Sequence, residues 1–383
     1  MVVLLMLIGA GLIYWIVERL YAKYWNKGLT ADLRFSTDHA VKGECIDLIE
    51  VVANRKYLPL PYIYVKFQVD KSLVFSEIDG NSAISDLSYR NDVFSLLYYQ
   101  QAVRKIPVRC TKRGVYRIHQ IQMVSTGAFM NDVLACNMKQ NAVITVYPEA
   151  ADTERLCIPF QQMMGTIERN RHLYEDKFVF RGIRDYESYD SMSQINWKAT
   201  ARSGQFMVNQ YNESVCQEVC ILLNLEPEGV IRQEILSEES ISIAAGLVQM
   251  FVEQGIQTSL ISNGRDADTQ EEIFVQAGSG LSHLNAVNTV LAGINLAIPV
   301  REFVEVLEEI EAGKYGSDYQ NEFGSGNTMY VIISENKRDN LKEQYQKLSG
   351  NSGVWIVPYL KGDSMNLEAG NIQIIEWEVD MHG

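Results

Sequence analysis

The stretch that decides the fold spans residues 174–211 and reads YEDKFVFRGIRDYESYDSMSQINWKATARSGQFMVNQY. It interleaves aromatic and charged side chains, whereas a merely solvated face would dilute its apolar residues with charge. Alternating apolar and polar residues predict a strand over residues 177–183. Residues 206–211 predict a return strand, so we expect a short helix between the two.

Capping signals set the limits of that helix, which we predict over residues 192–203. Residues 191–194 match a capping box, in which Ser191 accepts a hydrogen bond from a helical amide and Gln194 reaches back. Gly204 stands where helices commonly end. The sequence therefore predicts a strand, a short capped helix and a second strand.

Side chains on this helix would divide between two faces, with Asn196 and Thr200 on one and Trp197 and Ala201 on the other. We interpret Trp197 as a core anchor. Five charged residues could form a structural ion network, a phosphate or acidic-peptide site, or a catalytic acid/base set: Arg184, Asp185, Asp190, Lys198 and Arg202. We favour the ion network, because arginine does not deprotonate and is a poor general base.

Eight residues of the stretch form a spaced pattern that we call the core motif: Gly182, Arg184, Tyr186, Asp190, Asn196, Trp197, Lys198 and Arg202. The pattern resembles the signature of the bacterial domain-of-unknown-function 58 family, and the neighbouring features extend the resemblance over nearly the whole chain. The chain departs from the family at residues 188–189, where Pro-Gly is usual, at Ser193, where Arg is frequent, and at Asn196, where Asp is frequent.

The resemblance implies an architecture, a partner and a metal site to examine. It implies a von Willebrand A-type domain in the C-terminal half and a MoxR-type AAA+ ATPase as partner. Such domains bind Mg²⁺ through Asp-x-Ser-x-Ser after the first strand, because hard cations prefer oxygen ligands. The matching residues are Asn224, Glu226 and Glu228. Since a neutral amide and two long carboxylates replace the usual ligands, we expect this degenerate site to be weak or empty, and no cofactor.

Charge is distributed unevenly over the 383 residues, whose net charge is −14. Residues 211–383 contain 27 acidic and 9 basic side chains, whereas residues 1–210 contain 21 and 25. The acidic half indicates either solubility or a face for a basic partner. We expect no nucleic-acid partner. The six cysteines are scattered without a CxxC pair, which favours a reducing compartment.

An uncharged run of 17 residues opens the sequence, MVVLLMLIGAGLIYWIV, and Glu18 is the first charge. Its length with flanking aromatic residues predicts a single transmembrane anchor over residues 1–25. A signal peptide and a buried core helix are the alternatives. Arg19, Lys23 and Lys27 follow the run, and the positive-inside rule then places the bulk of the chain in the cytoplasm, at the cell membrane.

Two kinds of pattern follow the anchor. Residues 31–150 contain short runs rich in Val, Ile, Tyr and Phe, which predict an all-β immunoglobulin-like sandwich; residues 72–94 are a polar insertion without an assigned element. Residues 213–383 alternate strands and helices, which predicts a doubly wound α/β domain of the von Willebrand A-like kind that the resemblance implies. Residues 151–212 carry the core motif and are expected to pack on that domain.

We therefore expect a multidomain, membrane-anchored protein without enzymatic activity, acting as an adaptor or scaffold beside a MoxR-type AAA+ ATPase. The five histidines are dispersed and no Gly-x-Ser-x-Gly elbow is present, so nucleophilic catalysis has little support. Two alternatives stay open. One is a metal-dependent ligand-binding receptor, and the other is a hydrolase that uses the charged residues of the core motif.

Overall fold

A computed structural model describes residues 2–75, 82–84, 87–129, 132–173, 180–187, 192, 195–211, 218–229, 232–315, 328–350, 353–362 and 372–380. The chain divides into two compact units, Met1–Glu149 and Ala150–Gly383.

The first unit begins with helix α1, Val2–Tyr24. Residues Val3–Tyr24 have a mean hydropathy of 1.9, and the side chains of their most apolar window are not buried. The helix is long and apolar enough to cross a bilayer as an anchor, and a signal sequence satisfies the same criteria. Tyr21 and Trp25, at its C-terminal end, are buried in the core of the first unit.

Ten strands follow α1: β1 (Leu29–Phe35), β2 (His39–Val41), β3 (Cys45–Asn54), β4 (Leu60–Asp70), β5 (Leu73–Phe75), β6 (Ser82–Ile84), β7 (Leu87–Leu96), β8 (Gln101–Cys110), β9 (Gly114–Thr126) and β10 (Val133–Tyr147). They form a four-stranded sheet in the order β1-β3-β8-β5 and a six-stranded sheet in the order β2-β10-β9-β4-β7-β6. The predicted β-sandwich is confirmed. The insertion left unassigned at residues 72–94 contributes β5, β6 and most of β7.

Charged side chains lie in the interior of the sandwich. Asp92 accepts hydrogen bonds from Arg90 Nε at 2.6 Å and from Arg104 Nη1 at 2.5 Å. Glu50 lies opposite Arg104 in the pairing of β3 with β8 and is fully buried. Among the described residues, neither carboxylate oxygen of Glu50 has a hydrogen-bond partner. Burial, followed by the nearby Asp92 carboxylate, raises the pKa of Glu50 to about 8, although both arginines oppose the shift.

The second unit contains α2 (Thr153–Leu173), β11 (Phe180–Asp185), α3 (Trp197–Ser203), β12 (Met207–Tyr211), β13 (Glu218–Leu223), α4 (Glu234–Glu253), β14 (Gln257–Arg265), β15 (Glu272–Gly278), α5 (Leu281–Gly293), α6 (Phe303–Glu311), β16 (Thr328–Ile333), α7 (Asp339–Ser349), β17 (Val354–Leu360) and β18 (Gln373–Val379). Six strands form one sheet in the order β15-β14-β13-β16-β17-β18. Neighbouring strands are parallel except β14 and β15, which are antiparallel.

Helices cover both faces of this sheet, because its central strands are apolar on both sides. In β13, Val219, Ile221 and Leu223 join one core with α2, α4 and α5. Cys220 and Leu222 point to the other face and join a core with α6 and α7. Helix α4 is also long and apolar enough to cross a membrane, but 61% of its most apolar window is buried within the unit, as in a core helix.

Glu50→Gln should make the free energy of unfolding less dependent on pH. A carboxyl group whose pKa rises from 4.5 to about 8 on folding takes up a proton between these values. It therefore contributes stability that is fully present below pH 4.5 and is lost as the pH rises through about 8. Glutamine resembles the protonated acid and does not titrate.

Denaturant titration of the full chain in detergent at about pH 5 and about pH 9 measures this effect, since each pKa unit corresponds to about 1.4 kcal/mol. We expect the stability of Glu50→Gln relative to the parent to be higher at the alkaline pH. Glu149→Gln, at an exposed position, is the matched control, and its free energy of unfolding should depend on pH as that of the parent does. Equal pH dependence of Glu50→Gln and the parent would show that Glu50 ionises normally.

Candidate functional site

The core motif folds as two antiparallel strands with helix α3 between them. Strands β11 and β12 pair so that Ile183 lies opposite Asn209 and Asp185 opposite Met207. Beyond β11, the Tyr186 amide donates a hydrogen bond to the Phe206 carbonyl at 2.9 Å. The order predicted from the sequence, strand, helix and strand, is confirmed.

Helix α3 begins later than the capping box predicted. Its N-cap is Asn196, whose side-chain Oδ1 accepts a hydrogen bond from the Ala199 amide at 3.0 Å. The expected start at residue 192 is therefore wrong. Ser191, Ser193 and Gln194 lie outside the described residues. The predicted end is confirmed, because Gly204 adopts a left-handed conformation with φ of 76° and donates its amide to Thr200.

One face of α3 is held by hydrogen bonds to β12. Asn196 Nδ2 donates to Asn209 Oδ1 at 2.6 Å, and the Asn196 amide donates to the Met207 carbonyl at 2.8 Å. The Met207 amide donates in turn to Thr200 Oγ1 at 3.0 Å. Asn196 and Thr200 share this face, as the helical spacing predicts. They fix α3 without burying it.

Trp197 projects from α3 into solvent, and its interpretation as a core anchor is wrong. The residue is 64% exposed, and no residue of α3 is buried. The Trp197 ring packs edge-on against Phe206, with centroids 6.4 Å apart, and Phe206 is itself 54% exposed. Tyr186 contacts the same phenyl ring at 6.1 Å. The three rings form an aromatic cluster in which Trp197 and Phe206 are exposed, where the sequence predicted a buried tryptophan.

Three basic residues of the core motif lie near these aromatic residues in the sequence. Lys198 and Arg202 are exposed on α3, and Arg184 on β11 donates from Nη1 to the Asp185 carbonyl at 3.0 Å. Asp190 lies outside the described residues, so the predicted ion network stays a prediction. We call Arg184, Tyr186, Trp197, Lys198, Arg202 and Phe206 the motif surface.

A second candidate lies at the carboxyl ends of the parallel strands. The connection from β13 leads through α4 to β14 on one side, and the connection from β16 leads through α7 to β17 on the other. The sheet therefore has its topological switch between β13 and β16, where ligands bind in open α/β folds. We call this region the carboxyl edge.

Asn224, one of the predicted metal-site residues, joins the strands at this edge. It is buried, and its Nδ2 donates to Ser334 Oγ at 2.9 Å. Its Oδ1 accepts from the Glu226 amide at 2.8 Å and from Asn263 Nδ2 at 3.2 Å. The amide oxygen that a cation would need is already engaged by two donors.

The other two predicted metal-site residues bind cations of the chain itself. Glu226 Oε1 accepts from Arg338 Nη1 at 2.8 Å, and Oε2 accepts from the Phe303 amide at 2.9 Å at the start of α6. The carbonyl of Glu228 accepts from Arg338 Nη2 at 3.2 Å. A metal ion at Asn224 and Glu226 would have to displace Arg338. No cluster of three or more His, Cys, Asp or Glu side chains able to hold a metal occurs within the part of the chain that the structure describes.

Sequence reasoning missed Glu335, which lies at the same edge directly after β16. The residue is only 7% exposed, and its Oε1 has no hydrogen-bond partner among the described residues. Burial raises its pKa to about 7, with Arg232 and Lys337 opposing the shift and Glu228 adding to it. Glu335 lines a pocket of about 280 Å³ together with Glu228, Lys337 and Tyr359. Its position after a buried apolar strand was the available signal.

Comparison with known proteins gave one family match. Residues 182–349 match the model of a family described as "Protein of unknown function DUF58", and this range includes both the core motif and the carboxyl edge. The comparison with curated proteins gave no match.

Solved structures resemble parts of the chain only distantly. The CARDB domain of a Pyrococcus furiosus protein in complex with di-metal ions is 15% identical, covers 30% of this chain and 93% of its own, and has a TM-score of 0.19. A mutant of Salmonella alpha-2-macroglobulin is 16% identical over 32% of this chain and 7% of its own, with a TM-score of 0.21. A cohesin module from a Clostridium perfringens glycoside hydrolase is 12% identical, covers 30% of this chain and 97% of its own, and has a TM-score of 0.20. The sandwich is therefore assigned from its own strand topology.

Trp197→Ala should leave the stability of the protein nearly unchanged, because an exposed side chain leaves no cavity when it is removed. We expect a loss of less than about 0.5 kcal/mol, against about 3–5 kcal/mol for a buried tryptophan. Thermal unfolding of the full chain in detergent measures the difference. Trp355→Ala is the matched control, since Trp355 is fully buried. A comparable decrease of the melting temperature in both variants would show that Trp197 stabilises the fold.

Arg338→Ala should destabilise the second unit, because it removes the cation that Glu226 binds. Hydrogen bonds to charged groups contribute about 1.5–3 kcal/mol, and the half-exposed Arg338 places the expected loss near the lower figure. Lys361→Ala, which breaks an exposed pair with Asp380, is the control and should destabilise the protein less than Arg338→Ala does.

Unfolding of both variants and of the parent is then compared with and without Mg²⁺. The parent should show no stabilisation by Mg²⁺, since Arg338 and the Phe303 amide occupy the Glu226 oxygens. A clear rise of the parent's melting temperature with Mg²⁺ would mean that a metal displaces the guanidinium.

Proposed function

Because the chain belongs to the DUF58 family through residues 182–349, a family of unknown function, we propose that it is a membrane-anchored, non-enzymatic adaptor that binds a protein partner through the motif surface. The partner that the family resemblance suggests is a MoxR-type AAA+ ATPase. The observation that carries the proposal is the exposure of α3, the helix on which four of the eight motif residues lie or which they cap.

Exposure of a tryptophan has a cost that a purely structural motif would avoid. Large aromatic side chains are among the most buried on average, and burial of one apolar side chain stabilises a fold by about 1.5–3 kcal/mol. Trp197 and Phe206 are exposed in the free chain, so neither contributes most of this stabilisation. Tryptophan and arginine are also the residues enriched at the energetic centres of protein interfaces. The motif surface therefore has the composition of a binding site.

Charge indicates the kind of partner segment. Lys198, Arg202 and Arg184 are basic, whereas the chain as a whole has a net charge of −14. A basic patch attracts acidic segments of a partner. The partner segment should thus combine carboxylates with an apolar side chain that packs on Trp197 and Phe206.

Helix α1 supplies the proposed anchor, with the bulk of the chain in the cytoplasm. Arg19, Lys23 and Lys27 follow its apolar run, in agreement with the positive-inside rule. The five cysteines within the described residues are free, which supports a reducing compartment.

We also propose that the α/β part of the second unit is of the von Willebrand A kind, with Arg338 in the place of a metal. This arrangement does not favour the metal-dependent receptor, because the oxygens of Asn224 and Glu226 are satisfied from within the chain. Nor do we propose a hydrolase at the core motif, since arginine does not deprotonate and is a poor general base.

Affinity purification of the full chain from detergent-solubilised membranes, with and without ATP, tests the adaptor proposal. The parent should retain an AAA+ ATPase, and both Trp197→Ala and the double variant Lys198→Glu/Arg202→Glu should lose it. Added salt should weaken retention of the partner by the parent, because ions screen the attraction between opposite charges. All variants should unfold at the temperature of the parent.

Lys361→Glu, an exposed charge reversal outside the motif surface, is the control and should retain the partner. Partner retention by both motif variants would refute a docking role of the motif surface. Loss of the partner by the control as well would show that general charge, rather than the motif, governs binding.

A further inference from the structure

Several strand ends meet at the end of the sandwich that α1 enters. Leu29, the first residue of β1, pairs with Asn54 at the end of β3, and Gln101 at the start of β8 pairs with Ala53. The turns that follow β3 and precede β8 therefore lie beside the start of β1. In agreement, the Arg55 amide donates to the Gly28 carbonyl at 2.7 Å, and Lys56 Nζ donates to the Trp25 carbonyl at 2.5 Å.

The six-stranded sheet contributes to the same end. Leu60 at the start of β4 pairs with Leu96 at the end of β7, and Ile63 pairs with Ser125 near the end of β9. The turn that begins after β9 contacts α1 through Gly127 and Phe129. Phe129 in this turn stacks on Tyr14 of α1 with ring centroids 4.6 Å apart, and the Glu18 carboxylate lies directly against Gly127.

This end of the sandwich exposes a concentration of large apolar and aromatic side chains. Val133, the first residue of β10, is 75% exposed, and Phe129 in the turn is 47% exposed. The other members of the set, which we call the helix-end surface, are Tyr57, Tyr62, Leu97 and Tyr98. Exposed apolar and aromatic side chains at one end of a unit indicate a binding or membrane-contact surface.

The contact between Tyr14 and Phe129 fixes the depth of this surface relative to α1. The uncharged run of α1 continues to Val17, and Glu18 is its first charge. Tyr14 lies about 6 Å along the helix axis before Glu18, at 1.5 Å per residue. A bilayer that accommodates the uncharged run therefore also surrounds Phe129.

The chemistry of the helix-end surface suits the boundary between headgroups and acyl chains. Tyrosine is enriched at this level in membrane proteins, and basic side chains nearby attract anionic headgroups. Arg19 and Lys23 on the adjoining helix, and Lys27 after it, supply the cations. The exposed Asp132 carboxylate in the same turn limits the depth, since it has to remain among the headgroups.

We propose that the helix-end surface rests in the interfacial layer of the bilayer, with Phe129 at the level of the outer acyl chains and the tyrosines among the headgroups. The lipid surface is thus a second ligand of the sandwich, and it fixes the orientation of the first unit on its anchor. The inference rests on the proposed anchoring by α1, and its test separates the two.

Photo-crosslinking of the full chain in nanodiscs that contain anionic lipid tests the proposal. Variants carry p-benzoylphenylalanine in place of Phe129, Tyr98, Leu7 or Lys112, one position at a time, and lipid adducts are detected by mass. Leu7 reports on the anchor, whereas Lys112 is an exposed control between β8 and β9, away from the helix end. We expect lipid adducts at positions 7, 129 and 98, and none above background at 112.

The outcomes distinguish the surface from the anchor. Adducts at position 7 but only background at 129 and 98 would overturn the inference while leaving the anchor intact. Protein adducts at 129 and 98 in place of lipid adducts would also overturn it, since the surface would then bind a polypeptide. Background at position 7 would instead refute the anchor on which the proposed function depends. Equal yields of lipid adducts at positions 112 and 129 would show that the bilayer contacts the first unit in no fixed orientation, which would contradict the proposal.

Discussion

The α/β part of the chain depends on how the polar groups at the ends of its central strands are satisfied. Asn224 follows β13 and bonds to Ser334 after β16 and to Asn263 within β14, so one amide links three adjacent strands. Buried amides left without partners would cost about 1–3 kcal/mol each. This requirement explains why Arg338 and the start of α6 occupy the carboxyl edge, next to the pocket that Glu335 lines.

Most of the architecture could be predicted because hydrophobic periodicity is a local property of the sequence. The alternation of strands and helices predicted for residues 213–383 corresponds to the elements from β13 to β18. The capping signal at residues 191–194 was misleading because Asn196 competes with it. An N-cap is chosen by its tertiary partners, here Asn209 and Met207 on the neighbouring strand.

The candidate sites were less predictable, since exposure depends on contacts that sequence spacing does not encode. Trp197 has the size and helical position of a core residue, yet α3 packs through Asn196 and Thr200 and turns the indole outward. Glu335 was missed for the opposite reason. A glutamate after a strand is usually solvated, and only the surrounding helices and loops bury this one and raise its pKa to about 7.

The buried charges of the sandwich have a consequence for how its strands find their alignment. Arg90 and Asp92 alternate inward along β7, toward Glu50 and Arg104 of the opposing sheet. A slip of β7 by one residue against β4 would turn Arg90 and Asp92 to the outside and direct Tyr89, Asn91 and Val93 at an unpaired Arg104 and Glu50. Apolar strands tolerate such slips more readily, because one apolar side chain can replace another. The ion cluster thus penalises misaligned sandwiches during folding, at some cost to the aligned one.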